Sequence, residues 1–149
     1  MAKIFITGSA DGLGQLAAER LVENGHQVVL HARNPQRAEY AMSKVPAAKE
    51  VLIADLSDSE ATRQLANEVN AMGTFHAVIQ NAGVYQANSR LILSVNTLAP
   101  YILTCLMHKP KRLIYLSSGL HLSGDPDLNR LDTERVSYAD TKLHDLILA

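Results

Sequence analysis

The stretch that decides the fold is Ile4-Phe5-Ile6-Thr7-Gly8-Ser9-Ala10-Asp11-Gly12-Leu13-Gly14. A short apolar run meets a three-glycine segment, and an amphipathic pattern begins at Leu13. This is the order of a strand, a glycine turn and a helix start. Gly8 permits a tight exit from the strand, Gly12 lets backbone approach a phosphate without a Cβ, and Gly14 lets the helix pack close to the sheet. The free N–H groups and positive end of that helix then face a pyrophosphate. Ser9, Asp11 and Leu13 complete the turn and belong to the predicted dinucleotide site. A purely structural glycine turn is the competing reading. The placement after an N-terminal strand and before a helix weighs against it.

Outward from this turn, strand and helix patterns alternate. Strands are predicted at 4–7, 27–31, 51–54, 77–80 and 113–116. Helices are predicted at 13–24, from Asn34-Pro35 to Lys44, from Ser57 or Asp58 to Met72, at 91–107 with a bend at Pro100, and at 138–148. In the first helix, Leu13, Leu16, Ala17, Leu21 and Val22 are expected on the buried face. Gly25 and Gly73 follow helix ends, where a residue of positive φ is wanted. The second strand, at 27–31, is nearly all apolar, as a strand buried on both faces should be. The predicted fold is α/β: a doubly wound parallel Rossmann sheet of order 3-2-1-4-5, in three αβα layers, forming one domain over residues 1–149. Residues 125–134 read as the most polar loop.

Composition narrows the function. Of 149 residues, 47% are hydrophobic and 19% charged, with a formal net charge of −1. That balance offers no electrostatic case for nucleic acid or an anionic membrane. No signal peptide and no apolar run near ~20 residues is visible, so a cytoplasmic protein is expected. The one cysteine, Cys105, excludes an internal disulfide and is expected buried in an apolar run. The histidines show no metal-ligand spacing, and no metal is expected.

The end of the second strand separates the nicotinamide cofactors. An acid there would bind the adenosine ribose and repel a 2′-phosphate. The chain has His31-Ala32-Arg33-Asn34 instead. Arg33 offers a planar, permanent charge to a phosphate, so NADP is favoured over NAD. Asp55-Leu56 and Asn81-Ala82-Gly83 follow the third and fourth strands, at the ligand-binding edge of an open sheet. Asp55 can accept from an adenine amino group, cap the next helix, or do both. Tyr138 and Lys142, at i and i+4, share a helix face. An ammonium beside a phenol favours the phenolate and suits the pair to acid/base work. Ser117-Ser118-Gly119 stands nearby, at the end of the fifth strand.

These residues resemble the short-chain dehydrogenases/reductases, from Lys3 to the last residue. The glycine motif Thr7–Gly14, Asp55, Asn81-Ala82-Gly83, Asn96, Ser117-Ser118 and Tyr138 with Lys142 occur in that family's order. The resemblance implies hydride transfer between NADP(H) and a small carbonyl or alcohol. Tyr138 would protonate the carbonyl oxygen, and Lys142 would tune it and hold the nicotinamide ribose. Ser118, with Ser117 second, would orient substrate. Asn96 would hold a water in a proton relay, against a plainer reading as a buried amide bonding backbone. A homo-oligomer is implied by analogy, since the helices carrying Asn96 and Tyr138 form dimer faces in the family. The chain departs from the family in two places. Gly83 and Asn96 stand only 13 positions apart, and Gln80 replaces an asparagine. The family's sixth strand, covering loop and seventh strand are absent from the 149 residues. Two further readings therefore stand beside the enzyme: a non-catalytic NADP-binding sensor, and an incomplete record of a longer enzyme.

Overall fold

The computed structural model describes residues 1–131 and 135–149. The strands are β1 (Lys3–Ile6), β2 (Gln27–Ala32), β3 (Glu50–Ile53), β4 (Ala77–Gln80) and β5 (Arg112–Tyr115). They form one sheet of order β3-β2-β1-β4-β5, every pairing parallel. The predicted topology is the one found. Alternate residues of each strand point to opposite faces, and both faces are covered. Ile4, Ile6, Val28 and Leu30 pack with Ala18 and Ala38 on the side of α1 (Gly12–Glu23) and α2 (Pro35–Lys44). Phe5, Val29 and Val78 pack with Leu65, Val69 and Leu103 on the side of α3 (Ser59–Ala71) and α5 (Ala99–Leu106).

The helix predicted at 91–107 starts earlier and is not uniform. Asn88 caps α4 (Ser89–Leu93), a wider π turn follows at Ser94–Leu98, and α5 resumes. Pro100 has no N–H for the Asn96 carbonyl, and its ring clashes with a carbonyl four residues back. The helix widens rather than simply bending. By length and composition Ser89–Leu106 could cross a membrane, but its Val95, Ala99 and Leu103 are part of the core.

Two burial expectations are corrected. Leu13 and Leu16 are 70% and 56% exposed. The buried line of α1 is instead Gly14 and Ala18, because a helix lying close to the sheet has room only for small side chains. Cys105 is exposed. It lies two residues, about 200° of helix, beyond the fully buried Leu103. The polar stretch 125–134 contains a short 3-10 turn, Leu128–Arg130, and its residues 132–134 lie outside those described. The chain resumes into α6 (Tyr138–Leu148), started by a reciprocal capping box between Ser137 and Asp140.

Candidate active site

At the carboxyl ends of the strands, a cleft of about 830 Å³ opens where the strand order reverses. Every predicted cofactor residue except Ser9 lines it: Gly8, Asp11, Gly12, Leu13, Gly14, Arg33, Asp55, Leu56, Asn81, Ala82, Gly83, Tyr138 and Lys142. Asn96 and Ser118 do not line it, whereas Ser117 does.

The glycine turn fits a pyrophosphate on several counts. Gly8 has φ +61, and a Cβ on it would come within 2.8 Å of the Ala82 Cα. Gly12 has φ +54 and faces open space, as an approach for phosphate requires. Gly14 lies against the turn itself, where a Cβ would stand 2.5 Å from the Asn81 Nδ2. Asp11 is the N-cap residue of α1, yet its side chain makes no capping bond and pairs with Arg37. The first-turn amides are thereby left for an anion. Asn81 Nδ2 donates to the carbonyls of Thr7 and Gly8, both at 2.9 Å. Thr7 Oγ1 accepts from the amides of Asn81 and Ala82, both at 3.0 Å. The loops after β1 and β4 are thus one hydrogen-bonded unit.

His31 is the site residue that sequence reasoning missed. Its Nδ1 accepts from the Gly8 amide at 2.9 Å, and its Nε2 bonds the Ala54 carbonyl at 3.0 Å. These partners require the neutral ring with its proton on Nε2. Burial pushes its pKa from 6.5 down to about 4, against smaller upward pulls from the Ala54 carbonyl and Asp55. The available signal was a histidine inside an otherwise apolar strand.

At the β2–β3 end of the cleft, Arg33 is exposed on the wall. Asp55 does not cap α3. Asp58 does, bonding the amides of Glu60 and Ala61. Asp55 accepts instead from the Ser57 amide at 2.9 Å and its hydroxyl at 2.7 Å. Those bonds hold its carboxyl below the ordinary value.

At the other end, Tyr138 begins α6. Its ring meets Tyr85 edge-on, with centroids 4.8 Å apart. Lys142 Nζ lies 5.8 Å from the Tyr138 ring centroid and donates to the Leu116 carbonyl at 2.6 Å and Asp145 Oδ2 at 2.7 Å. The Lys142 and Asp145 side chains are only 6% and 4% exposed. Burial raises the Asp145 carboxyl, and Lys142 offsets part of that rise. Ser117 Oγ donates to the Lys142 carbonyl at 2.7 Å, while Ser118 Oγ accepts from the Leu120 amide, capping a 3-10 turn. Asn96, fully buried in the π turn, uses its side chain on protein groups. Its Oδ1 accepts from the Val84 amide at 2.8 Å, and its Nδ2 donates to the Val84 carbonyl at 2.9 Å and Thr141 Oγ1 at 3.2 Å.

A glycine-turn end and a tyrosine–lysine end facing one cleft can be set beside known proteins. The family model for short chain dehydrogenase matches residues 2–106. The chain belongs to the short-chain dehydrogenase family. An uncharacterized oxidoreductase of Emericella nidulans is 52% identical over 160 aligned positions, covering all of this chain and 62% of that protein. A solved structure from Mycobacterium paratuberculosis covers 99% of this chain and 59% of its own, at 26% identity and a TM-score of 0.85. A metagenomic short-chain oxidoreductase solved in complex with NADP covers 99% of this chain and 71% of its own, at 25% identity and a TM-score of 0.77. The chain spans 62 to 64% of the length of three curated fungal relatives.

Proposed function

We propose that the protein transfers hydride between NADP(H) and a small carbonyl or alcohol, with Tyr138 as the acid/base and residues 1–149 as one nucleotide-binding unit. The observation that supports this most is that Tyr138, Lys142 and Ser117 face the same cleft as the glycine turn. The nicotinamide supplies or accepts the hydride. Tyr138 donates its phenolic proton to the carbonyl oxygen as hydride reaches the carbonyl carbon, and takes it back in the reverse direction. Lys142 holds the nicotinamide ribose, with its ammonium beside the Tyr138 ring. Ser118, with Ser117 second, orients the substrate oxygen; Ser117 is the one of the two that faces the cleft, and alanine variants of both separate them. The Asn96 carbonyl, which Pro100 cannot engage, holds the water of the proton relay. The helices around Asn96 and Tyr138 join two copies.

Arg33 sets the cofactor preference. The segment that leaves β2, Ala32-Arg33-Asn34, carries no carboxylate, and Arg33 on the cleft wall favours the 2′-phosphate. The NADP bound to a structural relative is consistent with this. NADPH oxidation is measured against a panel of carbonyl compounds, with binding of NADPH and NADH measured alongside. Tyr138→Phe is expected to abolish turnover and leave NADPH binding nearly intact. Arg33→Asp is expected to weaken NADPH relative to NADH by on the order of 1–3 kcal/mol. Turnover undiminished in Tyr138→Phe removes the tyrosine from the mechanism. NADPH binding without turnover by any carbonyl favours the sensor instead.

A further inference from the structure

We propose that His31 is a positioning residue for nucleotide binding, its ring Nδ1 holding the Gly8 amide so that the turn keeps the shape that receives a pyrophosphate. This rests on the nucleotide-binding reading above. The two segments are clasped by backbone and side chain together. Besides the ring bond to Gly8, the Ser9 amide donates to the His31 carbonyl at 3.1 Å. The His31 amide donates to Ser9 Oγ at 2.8 Å, and Ser9 Oγ donates to the Ile6 carbonyl at 3.0 Å. Ser9 therefore acts behind the turn, which explains why it alone of the predicted cofactor residues does not face the cleft.

The ring does what the backbone clasp cannot. Gly8 sits in the left-handed region, so its peptide plane can turn at little steric cost. The Nδ1 lone pair fixes the Thr7–Gly8 plane, and with it the Thr7 carbonyl that Asn81 binds from the other side. Bonding to Nδ1 also occupies the Gly8 N–H and leaves anion binding to the uncapped first-turn amides of α1. On its far side the ring donates to the Ala54 carbonyl, beside Asp55. One imidazole thus ties the ends of β1, β2 and β3, and fixes the spacing between pyrophosphate and adenosine ends.

Two substitutions split the ring's functions. Asparagine can place its Oδ1 where Nδ1 stands, and glutamine can place its Nε2 where the ring Nε2 stands. His31→Asn keeps the acceptor for Gly8, whereas His31→Gln keeps the donor for Ala54. Each loses one ring hydrogen bond, so their melting temperatures should be similar. NADPH and 5′-ADP are titrated against the purified proteins. His31→Asn is expected to bind NADPH within about threefold of the wild type, and His31→Gln about tenfold more weakly. Equal weakening in both, or the reverse order, overturns the proposal. A long-range 1H–15N spectrum of the wild type should show the proton of His31 on Nε2. A proton on Nδ1 overturns the proposal even if neither variant folds. Wild-type protein that binds neither probe refutes the nucleotide reading instead, and leaves the ring spectrum to be judged by itself.

Discussion

Gly14→Ala should damage the protein far more than Gly12→Ala, although both replace a glycine of the same motif. At Gly14 the added Cβ would overlap the Gly8 carbonyl oxygen, lie 2.5 Å from Asn81 Nδ2 and 3.0 Å from the Ser9 Cα. Two of these neighbours are backbone that β1 and β2 hold in place. Overpacking of this kind costs about 3 kcal/mol. Moving Asn81 aside forfeits its bonds to Thr7 and Gly8, about 1 kcal/mol each. The better helix propensity of alanine returns about 1 kcal/mol, leaving a net loss of about 4 kcal/mol. At Gly12 an added Cβ would meet none of the described residues within 4 Å beyond its chain neighbours and its own helix backbone, and φ is +54. What remains is the left-handed penalty of about 1–2 kcal/mol. Urea unfolding at pH 7, followed by circular dichroism, measures both. A Gly14→Ala protein within about 1 kcal/mol of the wild type would show that the turn yields freely, and would refute the account of Gly14 as a contact with the turn itself.

Acidification should destabilise the fold through His31. The unfolded ring takes up a proton near 6.5 and the folded ring only near 4, so its contribution is whole above pH 6.5 and disappears as pH falls toward 4. The difference is about 3 kcal/mol, and His31→Gln should lose most of that slope in urea midpoints taken from pH 7 to 4. Asp145→Leu strands the buried Lys142 ammonium and should cost about 3–5 kcal/mol. The double variant Lys142→Met with Asp145→Leu should recover most of it in a denaturation cycle, and a double variant no better than the single one contradicts the pairing. Gln80 Nε2 is buried without a hydrogen-bond partner among the described residues, so Gln80→Met should stabilise by about 1–2 kcal/mol. A lower melting temperature would mean that the amide is satisfied.

The strand order and most of the residues that face the cleft were legible because their signals are local. An apolar run, a glycine turn and a helix cap are each read within about ten residues, and parallel crossover rules do the rest. What escaped notice depends on contacts between distant segments. His31 looks like any polar residue in a strand until Gly8 and Ala54 are brought to its two nitrogens. Asp145 is an ordinary helix position until α6 buries it beside Lys142. Leu13 and Leu16 have the spacing of a buried stripe, and only the close approach of α1 to the sheet turns Gly14 and Ala18 inward instead. Ser117 and Ser118 cannot be told apart by type. The backbone turns one hydroxyl toward Lys142 and the other into a 3-10 cap.

The hydrogen bond from Asn96 to Thr141 joins positions 45 residues apart, and this separates the two ends of the cleft in time during synthesis. Chains emerge from the ribosome N-terminus first, and early segments can fold before later ones appear. The glycine turn has its partners His31, Asn81 and Ala82 as soon as β4 has emerged. Tyr138, Lys142 and Thr141 arrive only with α6. A nascent chain can therefore hold a shaped glycine turn while the tyrosine–lysine half of its cleft has not yet been made.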